Sequence, residues 1–173
     1  KVKPNGTVAF GKAISSLESS VTKVTLYGDQ SKLEDINYLV AEVDVTDLKE
    51  NKDYKVDLKK PVGVTYMSVS SISVSITLGT VAEKDLNNVR VISRNLKSGY
   101  SVSAASTADA IVTVNLKGVS SVVDVIKSDD VVAYIDLEGL TEGTHEVDVK
   151  IEGSDSRVIY TSKTKKVTVT ITK

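Results

Sequence analysis

Short stretches in which apolar and polar residues alternate recur along this chain. Val112, Val114 and Leu116 alternate with Thr113 and Asn115, and residues 72–78 and 167–172 alternate even more regularly, with Ser or Thr at the polar positions. A period of two puts the apolar side chains on one face of a β-strand. The pattern therefore predicts strands in sheets that have one dry face and one face toward water.

The same blocks occur twice in the same order, separated by a shift of 90 residues that grows by two after the second block. This period is too long for a solenoid unit, so each copy should be a small domain with its own core. We expect domains at residues 1–80 and 86–173, joined by a linker at residues 80–85. The matched blocks are 24–28 with 114–118, 31–36 with 121–126, 41–45 with 133–137, 55–58 with 146–149, and 72–77 with 167–172.

The two copies differ at their beginnings. The second copy has an extra strand, around residues 89–92, before its Gly99 segment. The first copy starts at the equivalent of that later segment, near Gly6, so we expect its opening strand to be missing or to lie upstream of Lys1. A missing strand would leave an unpaired sheet edge, and such edges promote association with another chain.

A short helical signal follows the glycine that ends the first block of each copy. Ser31 with Glu34, and Ser121 with Asp124, have the spacing of a capping box, in which each side chain satisfies a free amide of the first turn. Apolar residues at 33 and 36, and at 123 and 126, would then share one helix face. The sequence predicts one short helical turn in each repeat.

The later turn of the second copy contains Gly139 and Gly143, and glycine adopts a positive φ without steric cost. The first copy has Asp47 and Asn51 near these two positions. Asp and Asn are the residues that best tolerate left-handed geometry after glycine. We therefore expect the same turn in both copies.

Composition and charge describe a globular protein with an aliphatic core. Hydrophobic residues make up 40% of the chain, with one Phe and no Trp, and 22 basic residues balance 23 acidic ones. This balance does not favour nucleic acid or anionic lipid as a partner. The absence of cysteine excludes disulfides and zinc-thiolate sites. No apolar run reaches the length that spans a bilayer, and the abrupt start at Lys1 suggests a piece of a longer, anchored chain.

Candidate chemical residues are few. His145 is the only histidine, and a metal or catalytic site would need several convergent partners, so an ordinary surface role is favoured. Asp129 and Asp130 lack the loop of alternating oxygen ligands that calcium requires, which favours a solvated loop. We expect no catalytic, cofactor-binding or metal site, and the binding residues are unknown at this point.

Two pairs of aspartates recur between the copies, Asp44 with Asp136 and Asp57 with Asp148. Each of them alternates with apolar residues, which favours the wet face of a strand. A repeated ligand site is the alternative.

Lys163, Lys165 and Lys166 form the only dense basic cluster. They flank the last alternating strand, where lysines discourage edge-to-edge pairing of sheets. A nucleic-acid site would need aromatic stacking platforms nearby, and the seven tyrosines are scattered. The sequence therefore predicts no nucleic-acid partner.

The second copy resembles the YbbR domain family at residues 112–118, 133–140 and 143–147, and in its closing alternating strand. The match covers nearly all of residues 86–173 and, less sharply, residues 1–80, whose turn glycines differ. The resemblance implies an all-β fold of two tandem small domains, each similar to the ribosomal L25 type with one short helical turn per repeat. No catalytic motif is known for this family.

The resemblance also implies a function. Tandem copies occur in CdaR-type proteins, outside the cell membrane and behind one N-terminal transmembrane helix. These proteins associate with the membrane diadenylate cyclase and modulate cyclic di-AMP synthesis. We therefore expect a non-catalytic, extracytoplasmic, membrane-anchored regulator that acts by protein–protein contact and needs no cofactor.

The alternative function is a cell-envelope adhesion or ligand-binding module for sugar or peptidoglycan. Exposed aromatic side chains commonly anchor such ligands. A groove lined by Tyr27, Tyr38, Tyr66 or Tyr134 would favour this alternative.

Overall fold

Strands make up most of both halves of the chain. The computed structural model describes all 173 residues and contains fifteen β-strands, three α-helices of four residues each and one 3₁₀ turn. The chain divides into two compact units, Lys1–Val81 and Ala82–Lys173. The predicted all-β fold with short helical turns is confirmed.

The first unit contains seven strands. Their bounds are β1 Val2–Asn5, β2 Lys12–Ser19, β3 Leu26–Gly28, β4 Ala41–Asp44, β5 Lys52–Asp57, β6 Val64–Met67 and β7 Ser71–Thr80. In the largest sheet, β7 lies between β2 and β5 and is antiparallel to both. The other two sheets are single pairs, β1 with β4 in parallel and β3 with β6 antiparallel.

The central strand β7 carries the core of the first unit. Ile72, Val74 and Ile76 are buried, and the serines between them face outward, as the alternation at residues 72–78 predicts. Val43 and Val45 pack into the same apolar cluster from the region of β4. The core is aliphatic because the inward face of each strand carries Val, Ile, Leu or Ala.

The second unit contains eight strands. Their bounds are β8 Ala82–Arg94, β9 Ser101–Ala104, β10 Ile111–Gly118, β11 Val131–Asp136, β12 Gly143–Asp148, β13 Lys150–Gly153, β14 Ile159–Ser162 and β15 Lys166–Thr172. Five of them form one sheet in the order β13-β11-β8-β10-β14. The other three form a second sheet in which β15 lies between β12 and β9.

The long strand β8 lies at the centre of the larger sheet of the second unit, between β11 and β10. Its first part is antiparallel to β10, and its last four residues are parallel to β11. Opposite it, Val114 and Leu116 of β10 are completely buried. On β15, Val167, Val169 and Ile171 are buried and alternate with outward threonines, which confirms the pattern predicted for residues 167–172.

The predicted helical turns form, but the predicted capping boxes are wrong. The helices are α1 Gln30–Leu33, α2 Thr107–Ala110 and α3 Ser120–Val123. Helix α1 is capped by Asp29, whose carboxylate accepts the Ser31 N–H at 3.0 Å, and α3 follows Val119 with no side-chain cap. Ser31 and Ser121 were the predicted capping residues, but the helices begin at Gln30 and Ser120, so both serines lie inside the first turn.

The later turn forms in both units. Asp47 has φ 54° and Gly139 has φ 75°, so the aspartate adopts the left-handed conformation that its position requires. At the second position the copies differ, because Gly143 has φ 133° whereas Asn51 has no positive φ. The Asn51 side-chain oxygen instead accepts the Leu78 N–H at 2.9 Å.

The predicted linker at residues 80–85 is wrong. Strand β7 continues to Thr80 and β8 begins at Ala82, so a single residue separates them. Glu83 and Asp85 suggested a polar linker, but they are the outward positions of an alternating strand whose Leu86 is buried. The extra strand predicted around residues 89–92 lies inside β8, and the first unit does contain a short opening strand, β1.

Candidate binding surface of the first unit

His145 is the residue that a catalytic or metal site would most plausibly use. It lies half-buried in β12, and its Nε2 lies 2.8 Å from the Thr141 carbonyl oxygen of the preceding turn. No group of three or more His, Asp or Glu side chains in this chain is arranged to hold a metal ion. The geometry gives His145 a local contact with its own turn.

The recurring aspartates Asp44 and Asp136 both close turns. Asp44 accepts the backbone N–H of Thr46 at 2.9 Å and its hydroxyl at 2.6 Å, and these bonds lower the Asp44 pKa. Asp136 accepts a bond from Asn95 at 2.9 Å and the Glu138 N–H at 3.2 Å, and the pKa of Asp136 is lowered in the same way. Because both bond to the backbone two residues ahead, turn formation accounts for their recurrence.

The remaining acidic candidates do not converge. Asp57 and Asp148 are exposed at the ends of β5 and β12. The Asp130 carboxylate accepts the Lys127 N–H at 2.9 Å, at the start of the 3₁₀ turn Ser128–Asp130. Asp129 lies in the same turn, so this acidic pair belongs to a local backbone motif.

The sequence suggested that Lys163, Lys165 and Lys166 protect a sheet edge. This is wrong for Lys166, which begins β15, whereas Lys163 directly follows the edge strand β14. Strand β15 is a central strand with β12 and β9 on its two sides. Lys163 forms an ion pair with Asp85 of β8, and Lys166 forms one with Glu146 of β12 at 3.1 Å. Two of the three cations therefore pair with neighbouring strands.

One concave feature of the first unit is an open groove of about 740 Å³. Strand β3 borders it and pairs with β6 but with no strand on its other side. Lys1 and Lys23 are the only charged residues in its lining. Its apolar walls include Val2, Leu17, Val24, Leu26, Ile36 and Leu39.

One of the four predicted tyrosines lines this groove. Tyr38 lines it, with the Lys1 Nζ 3.9 Å from the centre of the ring. The rings of Tyr27 and Tyr66 pair across β3 and β6 with centroids 5.7 Å apart, and both remain more than half exposed. Tyr134 lies in the second unit, where the Arg94 guanidinium covers its ring at 3.7 Å.

Several large apolar and aromatic side chains of the first unit are exposed. Phe10 is fully exposed and Val62 is 88% exposed, in addition to the three tyrosines. The ion pairs of the chain all lie in the second unit. Exposed aromatic and large apolar side chains are typical of protein-contact surfaces.

The family model for YbbR-like proteins matches residues 1–76 and 88–171, one match in each unit. These two ranges cover almost the whole chain. This chain belongs to the YbbR-like family. The family resemblance expected from the sequence is thereby confirmed.

A curated relative of this YbbR-like chain is the CdaA regulatory protein CdaR of Bacillus subtilis, strain 168. The two are 25% identical over 154 residues, which is 88% of this chain and 32% of the relative. The chain therefore spans about a third of that protein's length. The relative is named as a regulatory protein.

Two solved structures are also similar. A YbbR-like domain of the lmo2119 protein from Listeria monocytogenes is 26% identical, with a TM-score of 0.45, and the match covers 52% of this chain and 92% of that one. A YbbR-like protein from Streptococcus pneumoniae TIGR4 is 18% identical, with a TM-score of 0.38, and the match covers 99% of this chain and 89% of that one.

Sequence reasoning identified the aromatic residues but did not identify the groove. The available signal was the extra strand of the second copy, which has only a short counterpart in the first.

No helix in the structure combines the length and the apolar character needed to span a bilayer.

Proposed function

We propose that this chain is the non-catalytic, extracytoplasmic part of a membrane-anchored regulator that modulates a diadenylate cyclase, and so cyclic di-AMP synthesis, by protein–protein contact. One observation carries the proposal, the similarity to the CdaA regulatory protein CdaR along 88% of the chain. We also infer that the two units, Lys1–Val81 and Ala82–Lys173, are one YbbR domain each, with residues 82–85 belonging to the second domain rather than to a linker. We infer further that the anchor is an N-terminal helix of the full-length protein.

The surface of the first unit supports a contact function. Aromatic side chains are enriched in protein interfaces because they bury large areas at a low cost in conformational entropy. Tyr27 and Tyr66 form a preformed aromatic pair that is more than half exposed. We therefore place the contact with the partner on this pair and the apolar residues around it.

The first test is the cyclic di-AMP level in cells that co-express the cyclase and the full-length anchored protein, with and without residues 1–173. We expect the level to change on deletion, because these residues would carry the regulatory contact. An unchanged level, with both proteins verified in the membrane, would contradict the proposal and assign regulation to other parts of the protein.

A matched pair of variants locates the contact. The double variant Tyr27→Ala and Tyr66→Ala should abolish most of the regulatory effect, because it removes the exposed aromatic pair. Lys117 and Ile159 occupy the equivalent cross-strand pair in the second unit, so Lys117→Ala with Ile159→Ala is the control. Equal effects of the two double variants would contradict a contact centred on the first unit.

The second candidate function is a ligand-binding module of the cell envelope, and the exposed Tyr27–Tyr66 ring pair favours it. Paired aromatic rings offer apolar faces to the rings of a sugar. Titration of the chain with soluble peptidoglycan fragments, followed by the NMR signals of the tyrosine rings, tests this candidate. Saturable shifts that the double tyrosine variant loses would support it, and unshifted signals would exclude it.

A further inference from the structure

Asn5 and Gly6 form the only Asn-Gly pair among the seven asparagines of the chain. Such a pair is chemically reactive, because the backbone nitrogen that follows an asparagine can attack the side-chain carbonyl carbon. Glycine has no Cβ and leaves this approach open. Asn5 is the last residue of β1, and both residues are exposed to solvent. The end of this strand is therefore a candidate site for a covalent change.

The backbone geometry requires glycine after Asn5. Gly6 has φ 89°, in the left-handed region that residues with side chains rarely adopt. A Cβ added to Gly6 would overlap the Thr46 hydroxyl oxygen, so a side chain fits only if Thr46 moves. The fold thus keeps a reactive pair at this place.

The two reacting groups are not held by hydrogen bonds. The Asn5 side-chain amide has no hydrogen-bond partner, and the Gly6 N–H donates to no acceptor. Cyclisation requires Asn5 to leave its extended conformation, which breaks the bond of 2.8 Å from the Val45 N–H to the Asn5 carbonyl oxygen. Strand β1 has four residues and one neighbouring strand, so its end can open locally while the unit stays folded.

The second unit has the same turn without the reactive pair. Arg94 takes the place of Asn5, because its carbonyl oxygen accepts the Leu137 N–H at 3.0 Å in the equivalent bond. Asn95 then takes the place of Gly6, and with φ 57° it has the same left-handed conformation. An arginine side chain has no carbonyl carbon to be attacked, so the second unit is an unreactive reference for this turn.

The accessibility of the turn does not come from the short length of β1. Strand β8 has thirteen residues, and its last four still pair with β11 alone. The equivalent four residues of β1 pair with β4 alone. The end of this strand is therefore open on one side in both units.

We propose that Asn5 is a site of spontaneous deamidation, and that the product loosens the turn that follows β1. In the first step, the Gly6 nitrogen bonds to the Asn5 Cγ and the Cγ–Nδ2 bond breaks. The side-chain nitrogen takes the Gly6 amide proton and leaves as ammonia, which gives a cyclic succinimide. Water then adds to one ring carbonyl carbon, the C–N bond at that carbon breaks, and a carboxylate forms. No oxidant or reductant is needed, and the inference does not depend on the proposed function.

The site at which water adds decides the product. Opening at Cγ gives aspartate, which puts a new negative charge at residue 5. Asn5 lies opposite Asp44 in the register of β1 and β4, and both are on the exposed face. The Asp44 carboxylate accepts two hydrogen bonds from Thr46, which hold it in this turn. A like charge beside it is unfavourable, so aspartate at residue 5 weakens the turn.

Opening at the main-chain carbonyl gives isoaspartate, which has the larger effect because it lengthens the main chain by one carbon. Two backbone bonds of 2.8 Å lie next to this point. One runs from the Val45 N–H to the Asn5 carbonyl oxygen, and the other from the Asp47 N–H to the Thr7 carbonyl oxygen. A longer chain cannot keep both bonds. The modification therefore gives the first unit a structural change that accumulates with time.

Incubation of the whole chain at pH 8 and 37 °C, followed by peptide mass spectrometry, tests the reaction. We expect Asn5 to lose its amide at least ten times faster than each of the other six asparagines. Labelling with protein isoaspartyl methyltransferase should detect isoaspartate at residue 5 only. The Asn5→Gln variant is the control and should stay unlabelled, because the longer side chain forms its ring far more slowly. An intact Asn5 in the folded chain, with conversion in the chain unfolded by urea, would overturn the proposal, since the fold would then protect the pair.

Hydrogen exchange of the aged chain tests the consequence. We expect the amides of Val45 and Asp47 to exchange at least tenfold faster in the isoaspartate form than in the fresh chain. The Asn5→Asp variant should lie between the two, because it adds the charge without lengthening the main chain. Leu137 is the internal control in the second unit and should not change. Unchanged exchange at both amides of the first unit would overturn the proposed loosening of the turn.

Discussion

The two units have the same element order but close their sheets differently. In the second unit, the thirteen residues of β8 pair with β10 on one side and β11 on the other, and Leu116 is completely buried. In the first unit, the four residues of β1 reach only β4, and Leu26 remains half-exposed beside an open groove. Strand β3 therefore has one neighbouring strand, whereas β10 has two.

The ion pairs are also distributed unequally between the two units. The second unit holds all the ion pairs, including the bidentate contact of Arg94 with Glu152 at 2.7 and 2.9 Å. The first unit instead exposes Phe10, Tyr27 and Tyr66. The two copies of the repeat therefore differ in their surface side chains, with ion pairs in the second unit and exposed aromatic rings in the first.

The largest expected effect compares equivalent leucines. Leu116→Ala should lower the free energy of unfolding of the second unit by about 3 kcal/mol, because it leaves a cavity in a fully packed core. Leu26→Ala should lower that of the first unit by about 1 kcal/mol, since the side chain is already half-exposed. Urea unfolding followed by NMR signals assigned to each unit measures both losses separately.

Equal losses at the two leucines would break the comparison between a closed and an open sheet.

Acid should weaken the second unit more than the first. Side-chain hydrogen bonds accepted by the carboxylates lower the pKa of five acidic residues in the second unit and of one, Asp44, in the first. A lowered pKa in the folded state gives stability that is present above the unfolded pKa and is lost as pH falls through the folded pKa. The five residues are Asp85, Asp109, Asp136, Glu152 and Asp155.

Thermal unfolding of the chain between pH 7 and pH 2, followed by NMR signals of each unit, measures this difference. The loss should begin below about pH 5, where free carboxyl groups start to bind protons. The control is the Asp85→Asn and Glu152→Gln double variant, whose second unit should depend less on pH. A steeper acid loss in the first unit would contradict the assignment of these hydrogen bonds.

The alternating pattern predicted the strands and the core well, because a period of two leaves little choice of face. The inward residues of β7 and β15 are the ones expected. The start of β8 was mistaken for a linker, since Glu83, Lys84 and Asp85 are polar although they lie in a strand. The free edge of β3 beside the groove agrees with the unpaired sheet edge that the comparison of the two copies predicted.

The roles of the charged candidate residues also could not be predicted from the local sequence pattern alone. Asp44 and Asp136 recur because each closes a turn, which requires knowing where the strand ends. Lys166 looked like a residue that protects an edge, but β15 acquires neighbours on both sides from distant parts of the chain. Whether a lysine lies at a sheet edge is decided by which distant strands pair, rather than by the β-propensity of the residues around it.

The smallest expected effect compares the later turn of the two units. Gly139 has φ 75° and no neighbouring atom within 4 Å of an added Cβ, so the cost of a side chain there is conformational. Gly139→Ala should lower the free energy of unfolding of the second unit by about 1 kcal/mol. Gly139→Asp should cost about half as much, because aspartate tolerates this geometry, as Asp47 does with φ 54° in the first unit. Urea midpoints of the two variants measure the difference, and a greater loss for Asp than for Ala would show that the two turns are not equivalent.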